Sequence, residues 1–588
     1  MKKLSGTIFD GGSRPEGRGA GTGPRKPFQL AVSAAVAATV VLTCVSCSSH
    51  PPPTRAAGIR AQCIPDAVAK RRVPLTGTAD PNLRLKVALQ LPLRNQAELT
   101  QLLHDLYDPR SPQFHKYLSV SEFTERFGPT ASDYKKVVAW AKSNGLSVTT
   151  TTPNRRMVAV EAPVAKIDRA FQVRISNYRH PNEGRIFYSA DREPTPTGLS
   201  VPLLQITGMS NYVLPRPMLQ RGNATNVAGT GSGPSGEYLP SDLRAAYYGK
   251  GPLTGAGQVL GILSFDGYLD RDLQLYYSKT RMSAKVPVKN VLVNGFSGAC
   301  TTPGSTTSTT CDDGEQILDI VNAVGMAPGL KQILFYEGSS DTLILNQMAI
   351  DNTAKVLSSS WGWNPADADS DDPIFQEFAA QGQTFVSASG DSGAFNSSTY
   401  FFPSVDPYVL QVGGTDLTTS GPGGAWSAET AWSQSGGGYV NDTALPGWQQ
   451  LPGVVNSANL GSTTQRNSPD VAAESNFDNP TVVNGQFVTG YGGTSFAAPR
   501  WAGFLALVNQ QSVANGRGTV GFINPTLYNL GTSANRSSVF HDITTGSNPP
   551  SVGDGSGFNA VPGYDLVTGW GSPAGAALID QLAGRKAK

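Results

Sequence analysis

Apolar positions beyond residue 236 fall into two alternating rhythms. Short, almost continuously apolar runs recur: "QVLGILSF", "KQILFYEG", "KVLSSSWG", "TFVSASG" and "YVLQVGGT", with "VKNVLVNG" reading as a further strand. Between some of them lie segments with helical spacing: "YLDRDLQLYYSKT", "GEQILDIVNAVGMAP", "DTLILNQMAIDNT" and "DPIFQEFAAQG". Strands apolar on both faces belong in a parallel sheet covered on both sides by helices, so this part predicts an α/β fold. Ligand sites in such sheets lie beyond the carboxyl ends of the strands. "VSASGDSGA" and the turn before Ser495 are candidates for that edge.

Residues 76–215 read differently. "LKVALQLPL", "RRMVAVEAP" and "GRIFYSA" are strands; "NQAELTQLLHDLYDP", "TASDYKKVVAWAKSNG" and "KIDRAFQV" have helical spacing. This mixture predicts a small α+β domain. Residues 216–236 form a connector; "NATNVAGTGSGPSG" within it is rich in small residues and reads as flexible and open to cleavage. The expected division is a signal segment at 1–47, a linker at 48–75, the α+β domain at 76–215, the connector at 216–236 and the α/β domain at 237–588.

The first 26 residues carry six Lys and Arg, and the apolar run Leu30–Val45 follows. That is the core of an export signal, slightly short for a membrane span. Cys44 and Cys47 close it, so the chain is expected to be exported, with lipid anchoring at one of these cysteines left open. Export permits disulfides. Cys300 and Cys311 flank a polar loop and are expected to pair; Cys63 has no assigned role.

The net charge of +2 conceals an asymmetry. Residues 1–236 hold 30 Lys and Arg against 15 Asp and Glu, and residues 237–588 hold 16 against 29. Either two domains differ in surface, or a basic segment covers an acidic one and lets go when carboxylates take up protons. The basic part has no compact Lys/Arg cluster, which argues against nucleic acid as a partner.

Ser495 in "GYGGTSFAAPRWAGFLALVNQ" stands where a glycine turn enters an apolar helix, a suitable place for a nucleophile. Such a serine needs a base. Of the five histidines, only His541 lies within residues 237–588. Glu315 and Asp319 are four apart, on one face of an otherwise apolar helix. Buried carboxyls on one face are costly unless paired or used, and a close pair holds a shared proton. Asp391 sits between Ser and Gly residues in "SASGDSGAF", after an apolar strand; a protonated Asp there could donate to a developing oxyanion.

Gly-Thr-Ser-x-x-x-Pro, the Glu-x-x-x-Asp helix and Ser-Gly-Asp-Ser-Gly, in this order along the chain, resemble the sedolisin family of serine-carboxyl peptidases over about residues 76–585. The resemblance implies a subtilisin-like parallel sheet preceded by an α+β, ferredoxin-like activation propeptide. It implies Ser495 as nucleophile, Glu315 as general base and acid, Asp319 holding Glu315, and Asp391 at the oxyanion. It also implies one structural Ca2+ near "HDITTGSN" and "VPGYDLVTGWGSP", with carboxylates from Asp542 and Asp565 and backbone carbonyls from Ile543, Val561 and Gly563. Oxygen-only ligands suit that hard cation. A carboxylate base and a protonated Asp391 both call for acid.

The expected protein is then a secreted zymogen, a monomeric endopeptidase acting on polypeptides. Its own propeptide would serve as inhibitor and chaperone, and any membrane contact would run through a lipid anchor. Two alternatives stay open: a Ser-His-Asp subtilisin relative using His541, and a catalytically idle binding protein of the cell envelope.

Overall fold

In a computed structural model the described residues are 62–588, less 223–228, 284, 301–310, 364–367, 397–398, 442, 554 and 585–588. The export-signal reading, Cys44 and Cys47 lie outside them. No helix among the described residues is long and apolar enough to cross a membrane.

The N-terminal module carries an antiparallel four-stranded sheet in the order Ser147–Thr151, Met157–Pro163, Arg84–Gln90, Gln205–Thr207. Helices Gln96–Tyr107, Val120–Arg126 and Ala131–Ser143 join the first strand in sequence to the second, and Val164–Phe171 follows the third. Order and connections are those of a ferredoxin-like fold. Ala131–Ser143 starts where expected, because the Thr130 hydroxyl accepts from the Asp133 amide (3.0 Å). Val120–Arg126, absent from the sequence reading, starts at a capping box made by Ser119 and Glu122. The core packs Val87, Leu89, Val158 and Val160 of the sheet against Trp140, Ile167 and Phe171 of the helices.

The larger module is built on an eight-stranded sheet. Val288–Leu292, Gln332–Glu337, Val259–Ser264, Val356–Ser359, Thr384–Ala388 and Val409–Thr419 lie side by side and parallel. Val471–Glu474 continues the parallel set on the last strand, and Trp426–Ala431 pairs with it antiparallel. Both sheet faces are buried. Leu260, Ile262, Val356 and Val386 pack with the helices Gly314–Met326 and Thr494–Ala514. Their strand neighbours Leu263, Leu357 and Phe385 pack on the other face with Asp341–Asp351 and Asp372–Ala380. The continuous apolar runs therefore reflect two-sided burial. Cys300 and Cys311 form a disulfide ahead of the Gly314–Met326 helix.

The N-terminal module docks on the helix Asp372–Ala380 and the segment 520–522. The Tyr107 hydroxyl donates to the Ala379 carbonyl (2.6 Å) and accepts from the Phe522 amide (3.0 Å). Tyr117 reaches the Val520 carbonyl (2.8 Å). Arg156 crosses to Glu377 (3.2 Å), both side chains fully buried. Cys63 is buried, and its sulfur accepts from the Ile206 amide (3.3 Å).

Candidate active site

Two buried helices bring the predicted carboxyls and serine together. Gly314–Met326 is buried along its whole length and carries Glu315 and Asp319 on one face. Thr494–Ala514 carries Ser495 in its first turn, where the unsatisfied amides and helix dipole favour negative charge. Arg500 of the second helix donates to Asn322 Oδ1 of the first (3.0 Å) and ties them together. Asp391 follows the carboxyl end of the strand Thr384–Ala388, the edge expected for a site. Glu315, Asp319, Asp391 and Ser495 are each at most 4% exposed.

Burial and the Asp319 carboxyl push the Glu315 pKa well up, while the Ser495 hydroxyl opposes the rise. Burial raises Asp319 as well, opposed by the Ser360 hydroxyl, which donates to Asp319 Oδ1 at 2.5 Å. The pair is thus set to hold a proton between them. Neither Glu315 oxygen has a hydrogen bond among the described residues. Ser495 Oγ lies 3.4 Å from the Ser360 carbonyl, a long contact it would leave easily for Glu315.

Burial lifts Asp391 to about 7, against the pull of Thr494. Asp391 Oδ1 accepts from the Thr494 amide and hydroxyl, each at 2.8 Å, and Oδ2 has no hydrogen-bond partner among the described residues. Gly493, at φ 144°, shapes the space in front of Oδ2. An added Cβ there would lie 2.8 Å from Asp391 Oδ2 and collide with the Met218 carbonyl oxygen.

Met218 belongs to the segment that composition reads as a connector, and residues 216–222 of it run through this site. Arg216–Pro217 pairs antiparallel with Trp361–Gly362, and Gln220–Arg221 with Tyr491–Gly492. Between them the Met218 amide donates to the Ser360 carbonyl (2.9 Å), and the Met218 carbonyl accepts from the Ser495 amide (3.2 Å). An extended chain held by strand pairing on both sides of a serine, with one carbonyl on that serine's amide, is how a polypeptide substrate is held. Neither Ser360 nor the occupied cleft was marked by sequence reasoning. Ser360 sits in a run of three serines with nothing to single it out, and the occupied cleft depends on contacts between residues over 100 positions apart.

His541 does not join this group. Its ring stacks on Trp426 with centroids 4.0 Å apart and planes 4° from parallel. The proposed metal ligands meet on one turn: the Gly563 amide donates to Asp542 (3.0 and 3.1 Å) and the Val561 amide to Asp565 Oδ2 (3.1 Å). Asp565 is buried, Ile543 lies next to Asp542, and Arg536 stands 3.6 Å from Asp542. Asp565 also accepts from the Val567 amide (2.9 Å) and the Thr568 amide (2.8 Å). Carboxylates and backbone carbonyls make an all-oxygen donor set, a chemistry that fits a hard cation.

The fold and the serine at a helix start define a subtilase-type peptidase. The sequence bears this out in both halves. Residues 73–212 match the family model "Pro-kumamolisin, activation domain" and residues 299–520 match "Subtilase family". The chain is 31% identical to kumamolisin of Bacillus sp. (strain MN-32), over 88% of this chain and 94% of that protein. It is 30% identical to sedolisin of Pseudomonas sp. (strain 101), over 83% and 85%. It is 26% identical to tripeptidyl-peptidase 1 of Mus musculus, over 86% and 93%. The chain belongs to the sedolisin family and is a serine-carboxyl peptidase made with an activation domain.

Proposed function

We propose that this chain is an exported zymogen whose mature form hydrolyses peptide bonds in acid through Ser495, Glu315, Asp319 and Asp391. One observation carries the reading: a peptide carbonyl rests on the Ser495 amide, near Asp391 Oδ2, which like both Glu315 oxygens has no hydrogen-bond partner among the described residues.

In this reading Ser495 Oγ attacks the carbonyl carbon as Glu315 takes its proton. Asp319 holds Glu315 and stabilises the protonated form. Asp391, protonated below about 7, and the Ser495 amide both donate to the oxyanion. Glu315 then returns the proton to the leaving amine, and water hydrolyses the acyl-enzyme by the same route reversed. A bound Ca2+ on Asp542, Asp565 and the carbonyls of Ile543, Val561 and Gly563 would brace the loop by neutralising two carboxylates. The boundaries proposed are those of the sequence reading, with the propeptide lying across the cleft as inhibitor. Export and monomeric action are part of the proposal.

The test is incubation of the purified precursor at pH 4 beside its Ser495→Ala variant, followed by N-terminal sequencing. The reading expects the wild type to process itself and to gain activity on casein while the variant stays intact. Equal processing of both would refute it.

A further inference from the structure

The bound segment also records which sequences the cleft accepts. Met218, whose carbonyl lies on the Ser495 amide, is 6% exposed and packs in the apolar core beside Phe401. Its methyl group lies directly over Gly362, where an added Cβ would collide with Met218 Cε. Gly362 is in a short strand without a positive φ, so backbone geometry does not demand glycine. The absent side chain instead makes room for the residue before the cut and for Phe401, whose Cβ would lie 2.7 Å from an added Cβ. On the other side Leu219 lies over Gly314, where an added Cβ would be 3.3 Å from Leu219 Cδ2 and 2.8 Å from Val483. Leu219 is half-buried, and Asp312 Oδ1 lies 3.6 Å from the same added Cβ. The buried Met218 side, beside Phe401, favours a long apolar side chain and penalises Lys or Glu, whose charge would be desolvated without a partner.

The chain also continues in both directions. Upstream, Arg185 of the N-terminal module donates to the carbonyls of Asn211 and Tyr212, and Glu183 pairs with Arg216 (2.5 Å). Residues 210–215 border a cavity of about 650 Å³ between Arg84, Lys86 and Tyr188 of the N-terminal module and Ser340, Asp341 and Trp363 of the larger one. Downstream, the Gly222 amide donates to the Gly490 carbonyl (2.8 Å). Nothing among these contacts requires a free amino end near the serine.

Building on the function proposed above, we infer that this peptidase cuts chains internally, after an unbranched apolar residue such as Met and before Leu. Gly362 and Gly314 set the two pockets, and Met218–Leu219 is the bond cut in its own chain. In that cut the Met218 carbonyl carbon bonds to Ser495 Oγ, the bond to the Leu219 nitrogen breaks, and the Leu219 amine leaves with the serine's proton. Water then frees the Met218 carboxyl and restores Ser495.

The test has two arms. In the first, full-length precursor and its Met218→Glu and Met218→Leu variants are shifted to pH 4, and the earliest new amino terminus is sequenced. Leu219 is expected in the wild type and in Met218→Leu, with at least tenfold slower release in Met218→Glu. An earliest terminus elsewhere, or no effect of Met218→Glu, overturns the inference. In the second arm, mature enzyme is given acetyl-capped peptides differing only before the cut. Met is expected to exceed Lys and Glu at least tenfold in kcat/KM. The ratio of kcat/KM on Met to that on Ala is expected to be at least tenfold lower in the Gly362→Ala enzyme than in the wild type. This ratio is read on one preparation, so partial misfolding cancels. Where Gly362→Ala does not process, Gly314→Ala is read for the same loss on Leu relative to Ala after the cut. Failure on capped peptides with cleavage of free ones, or an unchanged ratio, overturns the inference. Wild-type cleavage at other residues with an inert Ser495→Ala leaves the function standing and the specificity refuted. Processing by Ser495→Ala refutes the function itself.

Discussion

The Ser495 amide donates to the Met218 carbonyl at 3.2 Å, so a residue of the connector occupies the place of a substrate's reacting group. The same contact closes the cleft to other chains. In the proposed function, latency and readiness to cut share this one geometry and would differ in the proton positions on Glu315, Asp319 and Asp391.

Replacing the base should stop the chemistry. Glu315→Gln is expected to slow precursor self-cleavage at pH 4 by at least about 10³-fold, the scale of losing a member of a catalytic unit. His541→Ala is expected to change it less than threefold. Densitometry of timed acid digests checks both. A large loss in His541→Ala would restore the histidine alternative.

The alkaline limb should belong to Asp391. Its carboxyl is raised to about 7 by burial, so it donates below that pH and loses its proton above it. Self-cleavage is expected to fall as pH rises through about 7. In Asp391→Asn the side chain donates at any pH, and the limb is expected to move up by a unit or more. Asp391→Ala is expected to cost about 10²–10³-fold, as for loss of one oxyanion donor. Rate against pH for the three proteins decides.

Acid should stabilise the precursor. Burial raises Glu237, Asp313, Glu337, Asp372 and Asp391 each to about 7. Raised folded-state values mean stability that is complete below the unfolded values near 4 and lost as pH climbs through 7. The melting temperature of Ser495→Ala precursor is expected to be several degrees higher at pH 4 than at pH 7.5. Calorimetry giving the reverse order would contradict the burial account.

The buried pair Arg156–Glu377 should matter more when halved than when removed. Arg156→Met leaves Glu377 buried without its cation, at a cost of about 3–5 kcal/mol. Replacing both by Met is expected to recover most of that loss. Urea unfolding of the two Ser495→Ala-based variants, against the parent, measures it.

Chelation should loosen the C-terminal turn. Removing Ca2+ from mature enzyme with EDTA is expected to lower the melting temperature, and added Ca2+ to restore it. A site a hundredfold above its Kd contributes about 2.7 kcal/mol. Asp565→Asn is expected to abolish the response to Ca2+.

Much of this was readable from residues alone. Apolar runs gave the parallel strands because a strand buried on both faces cannot alternate. The spacing of Glu315 and Asp319 put them on one helix face, since helical geometry is local. Cys300 and Cys311 are close enough in sequence to pair across one loop. The short strands Trp426–Ala431 and Val471–Glu474 escaped: the first follows its partner across the turn 420–425 but has a weak pattern of its own, and the second pairs with a strand more than 50 positions earlier.

The charge asymmetry suggested release of a basic module by protonation of an acidic one. The interface holds one buried ion pair, Arg156–Glu377, among largely uncharged hydrogen bonds from Tyr107, Tyr117, Gln90 to the Ser370 carbonyl (2.7 Å) and Asn154 to Asn346 (2.8 Å). Burial raises Glu377 there, so proton uptake at that residue does not by itself favour release.

The sequence by itself determined the two modules, the six side-by-side parallel strands of the sheet and the residues proposed for the chemistry, because periodicity and motif spacing are properties of neighbouring positions. Only the tertiary structure decided that Ser360 braces Asp319, that His541 stacks on Trp426, and that the Met218 carbonyl lies on the Ser495 amide. Each of these joins residues more than 40 positions apart, and the common burial that brings them together belongs to no one stretch of the chain.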